Sequence, residues 1–512
     1  MTAVADQLSD APSAILPKAL YRAAQVRELD RLATDKAGIA SAVLMSRAGR
    51  AAFQALYTQW PDVQSITVLC GGGNNAGDGY VVAALSAQKR IAVRVLWLCP
   101  PDELSGVARQ AYDYACQEGV LMVPFDEAEL GDPAFAAGVF VDALLGIGAK
   151  GEVRPAYAVA IHWLNRLAGP VLALDIPSGL CADTGAELGV AVQADVTVTF
   201  IGCKQGLLTG KGPALVGRLL FDDLGVPADV LTALPPASER CQLSRLLAAL
   251  PPRQADAHKG QFGHLLVIGG DRGLGGAAAM AAEMAARSGA GLISVATQPE
   301  HVAPLLARLP EAMTVGVASG QELEPHLARP NVLAIGPGLG RSSWSEQMLQ
   351  QAAKTGLPMV VDADALNLLA KGRVLSEARR ANWILTPHPG EAARLLNITT
   401  AEVQADRFAA VTALQARYGG VVVLKGAGTL ITDGERTWLA DVGNPGMATG
   451  GMGDILTGLI GALLAQGLKP DVAAQLGVCL HGVAGDMAAE DEGQRGILPT
   501  DLIPYVRELL NS

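Results

Sequence analysis

Residues 444–454, NPGMATGGMGD, run directly into the apolar segment ILTGLIGALL at residues 455–464. This pattern predicts a glycine-rich turn that opens a helix, and the glycines let the backbone approach a ligand closely. Because a helix N-terminus carries partial positive charge, the turn is a candidate anion site. Asp454 lies inside it, where a carboxylate can act as a base on a hydroxyl next to a phosphate. The alternative is an ordinary first-turn residue of a structural helix, since glycine density alone is weak evidence.

The composition indicates a chain of two or three α/β domains. Its 512 residues are 50% hydrophobic, 17% charged and 4% aromatic, which favours large cores and α/β layers. A net charge of -11 without basic blocks argues against a nucleic-acid partner. Seven scattered cysteines without a CxxC pair argue against a disulfide framework or a zinc site. No signal peptide or membrane span is recognised, so a cytoplasmic protein without membrane partners is expected.

The first half contains a strand, a glycine turn and a helix in succession. Residues 65–70 form the predicted strand, residues 71–79 (GGGNNAGDG) the turn, and a helix is expected from Tyr80. This order is typical of dinucleotide folds, although the spacing is not GxGxxG. Asn74, Asn75 and Asp78 could serve a ligand, or they could only tolerate turn geometry.

Two aspartates end neighbouring predicted strands of this half. Asp142 ends the strand at residues 138–142, and Asp175 follows the strand at residues 171–174. Ligands of open α/β sheets bind at the carboxyl ends of strands, although a single aspartate there is often a helix cap. Together with Asn75 and Ser178, the two aspartates form an oxygen-rich set suited to a hard monovalent or divalent cation.

Four ordered motifs, at residues 71–79, 141–146, 175–179 and 199–206, resemble the NAD(P)H-hydrate epimerase family over residues 20–228. The resemblance implies potassium on Asn75, Asp142 and Ser178, and proton transfer by Asp175. Ala76 stands where the family often has glycine, which costs little if its φ is negative. The residues implied to bind the hydrated nucleotide are Asn74, Asn75, Ala76, Gly77, Asp78, Gly146, Ile147, Gly148, Ala149, Lys150, Gly151, Glu152 and Tyr157.

In the second half, predicted strands again alternate with helices, which indicates a mostly parallel sheet covered on both faces. Each strand leads into glycines or polar residues at one rim, as at residues 336–340 (GPGLG) and 362–367 (DADALN). His388, between two prolines, is a candidate ligand contact or a structural histidine. Lys425, before two glycines, suits a phosphate, or is a solvated lysine.

Five motifs, at residues 336–340, 362–367, 386–391, 425–429 and 444–454, resemble the ribokinase-like NAD(P)H-hydrate dehydratase family over residues 240–508. The resemblance implies that Asp454 is the base on the C6 hydroxyl group and that magnesium bridges the phosphates of ADP or ATP. The hydrate would be held by Ala277, Gly338, His388 and Asp454. The nucleotide would be held by Lys425, Gly426, Ala427, Gly428, Thr429 and Gly453.

The resulting prediction is a two-domain enzyme that repairs hydrated NADH and NADPH. Its expected parts are a flexible arm (residues 1–18), a Rossmann-like epimerase domain (19–228), a linker (229–239) and a ribokinase-like dehydratase domain (240–508). A homo-oligomer is expected. The alternative is a small-molecule kinase for vitamin precursors, fused to a non-catalytic nucleotide-binding module.

Overall fold

The computed structural model describes residues 12–126, 138–375 and 377–512. The chain divides into two compact units, Met1–Glu239 and Arg240–Ser512. Each is a sheet covered by helices, so the predicted α/β class is confirmed. Most of the predicted arm, residues 1–11, lies outside the described residues, and Ser13 exchanges two backbone hydrogen bonds with Phe221. The other predicted domain borders stay predictions.

Unit 1 contains a seven-stranded sheet in which all neighbours are parallel. Its order is β4-β3-β2-β5-β6-β7-β8. The strands are β2 (Ser65–Cys70), β3 (Ala92–Trp97), β4 (Leu121–Pro124), β5 (Val139–Ala143), β6 (Val171–Leu174), β7 (Val196–Phe200) and β8 (Arg218–Asp222). In addition, β1 (Ala19–Leu20) pairs antiparallel with β9 (Ser238–Arg240).

Two apolar clusters cover the faces of this sheet. Along β2, Ile66, Val68 and Cys70 belong to one cluster and Leu69 to the other, as the two-residue repeat of a strand requires. The helices are α1 (Ala23–Asp35), α2 (Ser41–Gln59), α3 (Asn74–Gln88), α4 (Gly106–Gln117), α5 (Pro155–Leu164), α6 (Gly212–Leu215) and α7 (Ala228–Leu231).

Helix α3 begins at Asn74, so the predicted start at Tyr80 is wrong. The glycines in this segment serve close packing rather than a loop. A Cβ atom on Gly77 would lie 2.5 Å from Met45 Sδ, and one on Gly79 would lie 2.6 Å from Ala143 Cβ. Ala76 lies in the first turn of α3 and is not among the residues with positive φ, so its methyl group adds no backbone strain.

Unit 2 contains nine strands in the order β18-β17-β16-β15-β14-β13-β10-β11-β12. They are parallel except for β16, β17 and β18, which pair antiparallel. The strands are β10 (His264–Ile268), β11 (Leu292–Thr297), β12 (Met313–Gly316), β13 (Val332–Ile335), β14 (Met359–Val361), β15 (Trp383–Leu385), β16 (Val421–Leu424), β17 (Thr429–Thr432) and β18 (Thr437–Ala440).

The apolar helix α17 (Met452–Ala465) lies at the centre of this unit. It packs against α9 (Gly275–Arg287) and α18 (Pro470–Glu492). By length and composition α18 could span a membrane, but 67% of its apolar window is buried in the fold, which is the pattern of a core helix. The other helices are α8 (Leu243–Leu247), α10 (Val302–Arg308), α11 (Gly320–Leu323), α12 (Ser343–Lys354), α13 (Ala363–Ala370), α14 (Pro389–Leu396), α15 (Thr400–Ala405), α16 (Arg407–Tyr418) and α19 (Leu502–Leu509).

Candidate functional sites

A cavity of about 1210 Å³ opens at the carboxyl ends of the unit 1 strands. Most of the predicted hydrate-binding residues line it, and so does Asp175. Ala76 and Gly77 do not line it, because both lie on the buried side of α3. The predicted residues that do line it are Asn74, Asn75, Asp78, Gly146, Ile147, Gly148, Ala149, Lys150, Gly151, Glu152 and Tyr157.

Asp175 is held in the cavity by a fully buried lysine. Its backbone has a φ of 64°, an uncommon conformation that turns the chain sharply after β6. Lys204 Nζ donates to Asp175 Oδ1, to Thr199 Oγ1 (3.0 Å) and to the carbonyl of Phe200 (3.0 Å). The backbone N–H of Phe200 also donates to Asp175 Oδ1 (3.2 Å). Asp175 is therefore a fixed carboxylate with 15% of its side chain exposed to the cavity.

Two further carboxyl groups line the same cavity. Burial raises the pKa of Asp30 to about 6, with opposing effects of Lys204 and Asp175. Burial, with repulsion from Asp175 and Asp30, raises the pKa of Asp78 well above its usual range. Among the acidic and basic side chains that line the cavity, Asp30, Asp78, Asp175 and Lys204 are therefore close enough to act on one another's charge.

The predicted cation-binding residues Asn75, Asp142 and Ser178 are linked by hydrogen bonds at the edge of the cavity. Asp142 accepts hydrogen bonds from Ser178 Oγ (2.6 Å) and from the backbone N–H of Ser178 (2.7 Å). Asn75 Nδ2 donates to the carbonyl of Leu145 (3.1 Å). The Oδ1 atom of Asn75 is buried without a hydrogen-bond partner among the described residues. Such an unsatisfied buried oxygen needs an explanation, and a bound cation is one.

In unit 2, Asp362 connects three elements of the rim. Its buried carboxylate accepts hydrogen bonds from Lys425 Nζ (2.7 Å), Thr386 Oγ1 (2.8 Å) and Thr457 Oγ1 (2.9 Å). Burial lowers the pKa of Lys425, but attraction to Asp362 and Glu391 outweighs it and the net shift is upward. Lys425 is therefore a charged group at a strand tip, as phosphate binding requires.

Asp454 lies in the first turn of α17, beside this pair. The helix begins after Gly451, whose φ of 96° makes the turn. A Cβ atom on Gly453 would lie 3.2 Å from Lys425 Nζ, so the glycine leaves room above the ammonium group. Burial, with repulsion from Asp362 against attraction to Lys425, raises the pKa of Asp454 to about 7. A carboxyl group with this pKa is suited to proton transfer near neutral pH.

His388 caps α14 and stays neutral. Its Nδ1 accepts from the backbone N–H of Gly390 (3.0 Å), and the backbone N–H of His388 donates to Glu391 Oε2 (2.8 Å). Burial and the positive charge of Lys425 lower its pKa. Burial raises the pKa of Glu391 to about 7, although Lys425 opposes the shift. The half-exposed ring of His388 can therefore contact a ligand while the rest of the turn is structural.

The predicted nucleotide loop, residues 425–429, is supported from below by Arg407. This side chain is 1% exposed and donates to the carbonyls of Leu424 (3.2 Å), Lys425 (3.3 Å) and Gly428 (3.4 Å). Arg407 thus holds the loop from the inside, while Gly426 and Ala427 at its tip are exposed. Thr429 Oγ1 donates to the carbonyl of Gly426 (3.0 Å) and tightens the turn.

The remaining predicted hydrate-binding residues of unit 2 form a second small group. A Cβ atom on Gly338 would lie 2.4 Å from the carbonyl of Leu274 and 3.1 Å from Ala277 Cβ, so Gly338 and Ala277 are neighbours. Gly338 also has a φ of 56°, which favours glycine. The structure places this pair together, and it separately places Lys425, Gly453 and Asp454 together.

Sequence reasoning missed several residues that build these sites. In unit 1 it did not assign roles to Asp30 and Lys204, and in unit 2 it did not assign roles to Asp362, Thr457 and Arg407. Lys204 and Asp362 lay inside the quoted motifs, so their charge was a usable signal. Asp30 lies in an ordinary amphipathic helix, where nothing in the pattern distinguishes it from its neighbours.

Two family models match the chain. The first, described as NAD(P)H-hydrate dehydratase, matches residues 265–508. The second, described as YjeF-related protein N-terminus, matches residues 41–206. The two matches fall in unit 2 and unit 1 respectively.

Relatives match the chain over almost its full length. A bifunctional NAD(P)H-hydrate repair enzyme from Coxiella burnetii is 50% identical, covering 96% of this chain and 99% of its own. The corresponding enzyme from Escherichia coli is 42% identical, covering 97% and 95%. Among solved structures, an ADP/ATP-dependent NAD(P)H-hydrate dehydratase from Bacillus subtilis is 29% identical, covers 53% of this chain and 97% of its own, and has a TM-score of 0.47.

Proposed function

The chain belongs to the family of bifunctional NAD(P)H-hydrate repair enzymes, and we propose from this premise how its two units divide the reaction. Unit 1 interconverts the R and S hydrates of NADH and NADPH. Unit 2 dehydrates the S hydrate and consumes ADP or ATP. Because both epimers then lead to one product, the whole damaged pool returns to NAD(P)H.

The observation that carries the assignment of unit 2 is the position of Asp454. It lies at a helix N-terminus beside Lys425, with a pKa of about 7. In the proposed step, Asp454 takes the proton of the C6 hydroxyl while that oxygen attacks the terminal phosphorus of the nucleotide, whose bond to the bridging oxygen breaks and releases AMP from ADP or ADP from ATP. Hydroxide is a poor leaving group at neutral pH, whereas phosphate is a good one. The C6–O bond then breaks with loss of inorganic phosphate, a proton leaves C5, and the C5=C6 double bond of NAD(P)H forms.

The protein groups around this step bind and orient the reactants. Lys425 and the backbone of residues 426–429 hold the phosphates, and the positive end of α17 stabilises their charge. Gly453 leaves the space above Lys425 open. Ala277, Gly338 and His388 hold the hydrate. A magnesium ion bound with the nucleotide supplies further neutralisation of phosphate charge, and no side-chain ligand for it is proposed.

In unit 1 we propose that Asn75, Asp142 and Ser178 hold potassium. The fit rests on the unpartnered Oδ1 atom of Asn75 and on the neighbouring oxygens of Asp142 and Ser178. All are hard oxygen donors, as a potassium ion requires. Through the Leu145 carbonyl, which Asn75 and Ser178 both contact, the ion would order the loop at residues 144–152.

Removal of potassium is expected to slow epimerisation and to destabilise unit 1. At ten times the dissociation constant, binding to the native state alone contributes about 1.4 kcal/mol, or roughly 3–5 °C in melting temperature for a unit of this size. Thermal melts in potassium and in choline buffers measure this shift. The Asp142→Asn protein should show no such shift, and an equal shift in that variant would exclude this site.

Asp175→Asn is expected to abolish most epimerisation and to leave dehydration of the S hydrate intact. The amide keeps the shape but can neither accept a proton nor balance the charge of the buried Lys204. Loss by a factor of about 100 or more is expected for an acid–base residue. Stopped-flow analysis of purified R hydrate measures the rate. Undiminished epimerisation in a folded variant would support a non-catalytic binding role for unit 1.

The proposed division of labour is tested by supplying mixed R and S hydrates with ADP or with ATP and following NADH absorbance. Complete recovery is expected. Recovery of only the S fraction would remove the epimerase assignment. A stable phosphorylated product without NADH would instead indicate the vitamin-precursor kinase.

We also propose that the enzyme acts in the cytoplasm as a homo-oligomer. All seven cysteines are free thiols, which fits a reducing compartment. Exposed apolar side chains such as Leu121 (59% exposed) and Leu498 (57% exposed) offer contact area between copies. Light scattering of the purified protein measures the mass, and a monomer at cellular concentration would contradict this assembly.

A further inference from the structure

Asp30 is an acidic residue of the unit 1 cavity that belongs to none of the sequence motifs. It lies on α1, whereas Asp175 follows β6 and Lys204 follows β7, and all three line the same cavity. Its side chain is half-buried, and both Asp175 and Lys204 lie close enough to act on its charge. Two carboxyl groups from different elements therefore face one cavity, with a buried ammonium group bound to one of them.

Epimerisation of a hydrated nicotinamide requires two proton transfers at different atoms. Carbon C6 bears the hydroxyl group and is bonded to ring nitrogen N1. If the C6–N1 bond breaks, a base takes the hydroxyl proton and C6 becomes an aldehyde. The electron pair of the broken bond passes to N1, which receives a proton from an acid. Rotation about C5–C6 and the reverse steps return both protons and give the other epimer, so atoms and charges balance.

We propose that Asp30 is the second acid–base residue of the epimerase, which exchanges the N1 proton while Asp175 exchanges the hydroxyl proton. This inference rests on the proposed epimerase function. Lys204 fixes the Asp175 carboxylate in the cavity through its hydrogen bond to Oδ1. The reaction needs no further reagent, since each carboxyl group ends in the state in which it began.

Asp30 suits this task better than Asp78. The pKa of Asp30, at about 6, permits exchange near neutral pH. Burial raises the pKa of Asp78 on α3 well above its usual range, further from neutral exchange than that of Asp30. The charged groups that face Asp30 from other elements are Lys204, Asp175 and Asp78. On α1 itself, Arg31 is paired with Glu28 and Asp35.

The test uses the full chain and a mixture of both hydrates with saturating ADP. The S fraction is consumed in a fast phase by unit 2, and the R fraction follows in a slow phase that reports epimerisation. Asp30→Asn is expected to reduce kcat of the slow phase by about 100-fold or more, with little change in KM. It should also remove the pH limb near 6, while the fast phase stays intact.

Matched variants keep the test interpretable. Glu28→Gln makes the same exchange on the same helix but outside the cavity, and it should leave both phases unchanged. Asp30→Glu, which restores a carboxyl group, should recover a pH limb and part of the rate. Thermal melts show whether each variant is folded. If Asp30→Asn is poorly folded, the wild-type pH profile still tests for the limb near pH 6, whose absence would contradict the inference.

Three results would overturn the inference. One is an unchanged slow phase in folded Asp30→Asn, and another is a raised KM with an unchanged kcat, which would mean a binding role. The third is a variant that keeps the wild-type pH limb near 6. If the R hydrate is converted no faster with wild-type protein than in buffer alone, the proposed epimerase function fails together with this inference.

Discussion

Asp454→Asn is expected to lower the rate of S-hydrate dehydration by a factor of about 100 to 10,000, the range for loss of a general base. The amide keeps the size of the side chain at the start of α17 but cannot accept the C6 hydroxyl proton. Measurement of kcat with purified S hydrate and saturating nucleotide checks the result. Asp471→Asn, which removes an acidic residue from the first turn of α18, is the matched control and should retain full activity.

The pH dependence gives Asp454 a second signature. Because a base acts when ionised and the pKa of Asp454 is about 7, the wild-type rate should rise through pH 7 and then level off. Glu391 also has a pKa of about 7. The Glu391→Gln protein should therefore keep the same pH limb. Loss of the limb in that variant, with Asp454 intact, would assign the base to Glu391.

Stability should follow the opposite trend. Burial raises the folded-state pKa of Asp454 above its unfolded value, so its favourable contribution is present at low pH and is lost as pH rises through about 7. Asp454→Asn should therefore have a higher melting temperature than wild type at pH 8. The difference should shrink as pH falls and vanish only below the ordinary aspartate pKa of about 4, where the carboxyl group is protonated in both states.

Lys425→Met is expected to abolish nucleotide binding and to destabilise unit 2 by about 3 kcal/mol, the low end for a broken buried pair. The low end applies because Lys425 is 20% exposed, whereas Asp362 is 2% exposed. The substitution removes the phosphate-binding charge and leaves the buried carboxylate without its cation. Chemical denaturation and nucleotide titration measure the two effects, and Lys371→Met on the surface is the control.

A double variant separates these two effects. Adding Asp362→Asn to Lys425→Met removes the unpaired charge, and the amide can still contact Thr386 and Thr457. Most of the lost stability should return, while nucleotide binding should remain absent. Recovery of nucleotide binding in the double variant would show that Lys425 does not contact the phosphates.

Much of the fold followed from local sequence patterns. Strand β2 begins and ends where the pattern predicts, since Ser65–Cys70 is a short apolar run that ends on glycines. Helix α17 begins at Met452, as the glycine turn indicates. The start of α3 could not be read correctly, because Gly77 and Gly79 look like loop residues until Met45 and Ala143 are seen packed against them.

Site residues that lie in recognisable sequence motifs could be predicted. Site residues whose role depends on contacts with distant parts of the chain could not. Asn75, Asp142 and Ser178 lie in separate motifs, and the rule that ligands bind at strand ends brings them together. Arg407 is a buried cation whose role depends on the carbonyls of the loop after β16, so its local sequence gives no indication of burial. Asp30 is visible as a site residue only once α1 is placed over the cavity.

The most direct test of the central claim is the stoichiometry of products from mixed hydrates with limiting nucleotide. We predict one NADH and one inorganic phosphate for each ADP or ATP consumed, with hydrate drawn from both epimers and no phosphorylated coenzyme remaining. Mass spectrometry combined with NADH absorbance measures all of these species. Accumulation of a stable phosphorylated product, or nucleotide consumption without NADH, would contradict the assignment of unit 2 as a dehydratase.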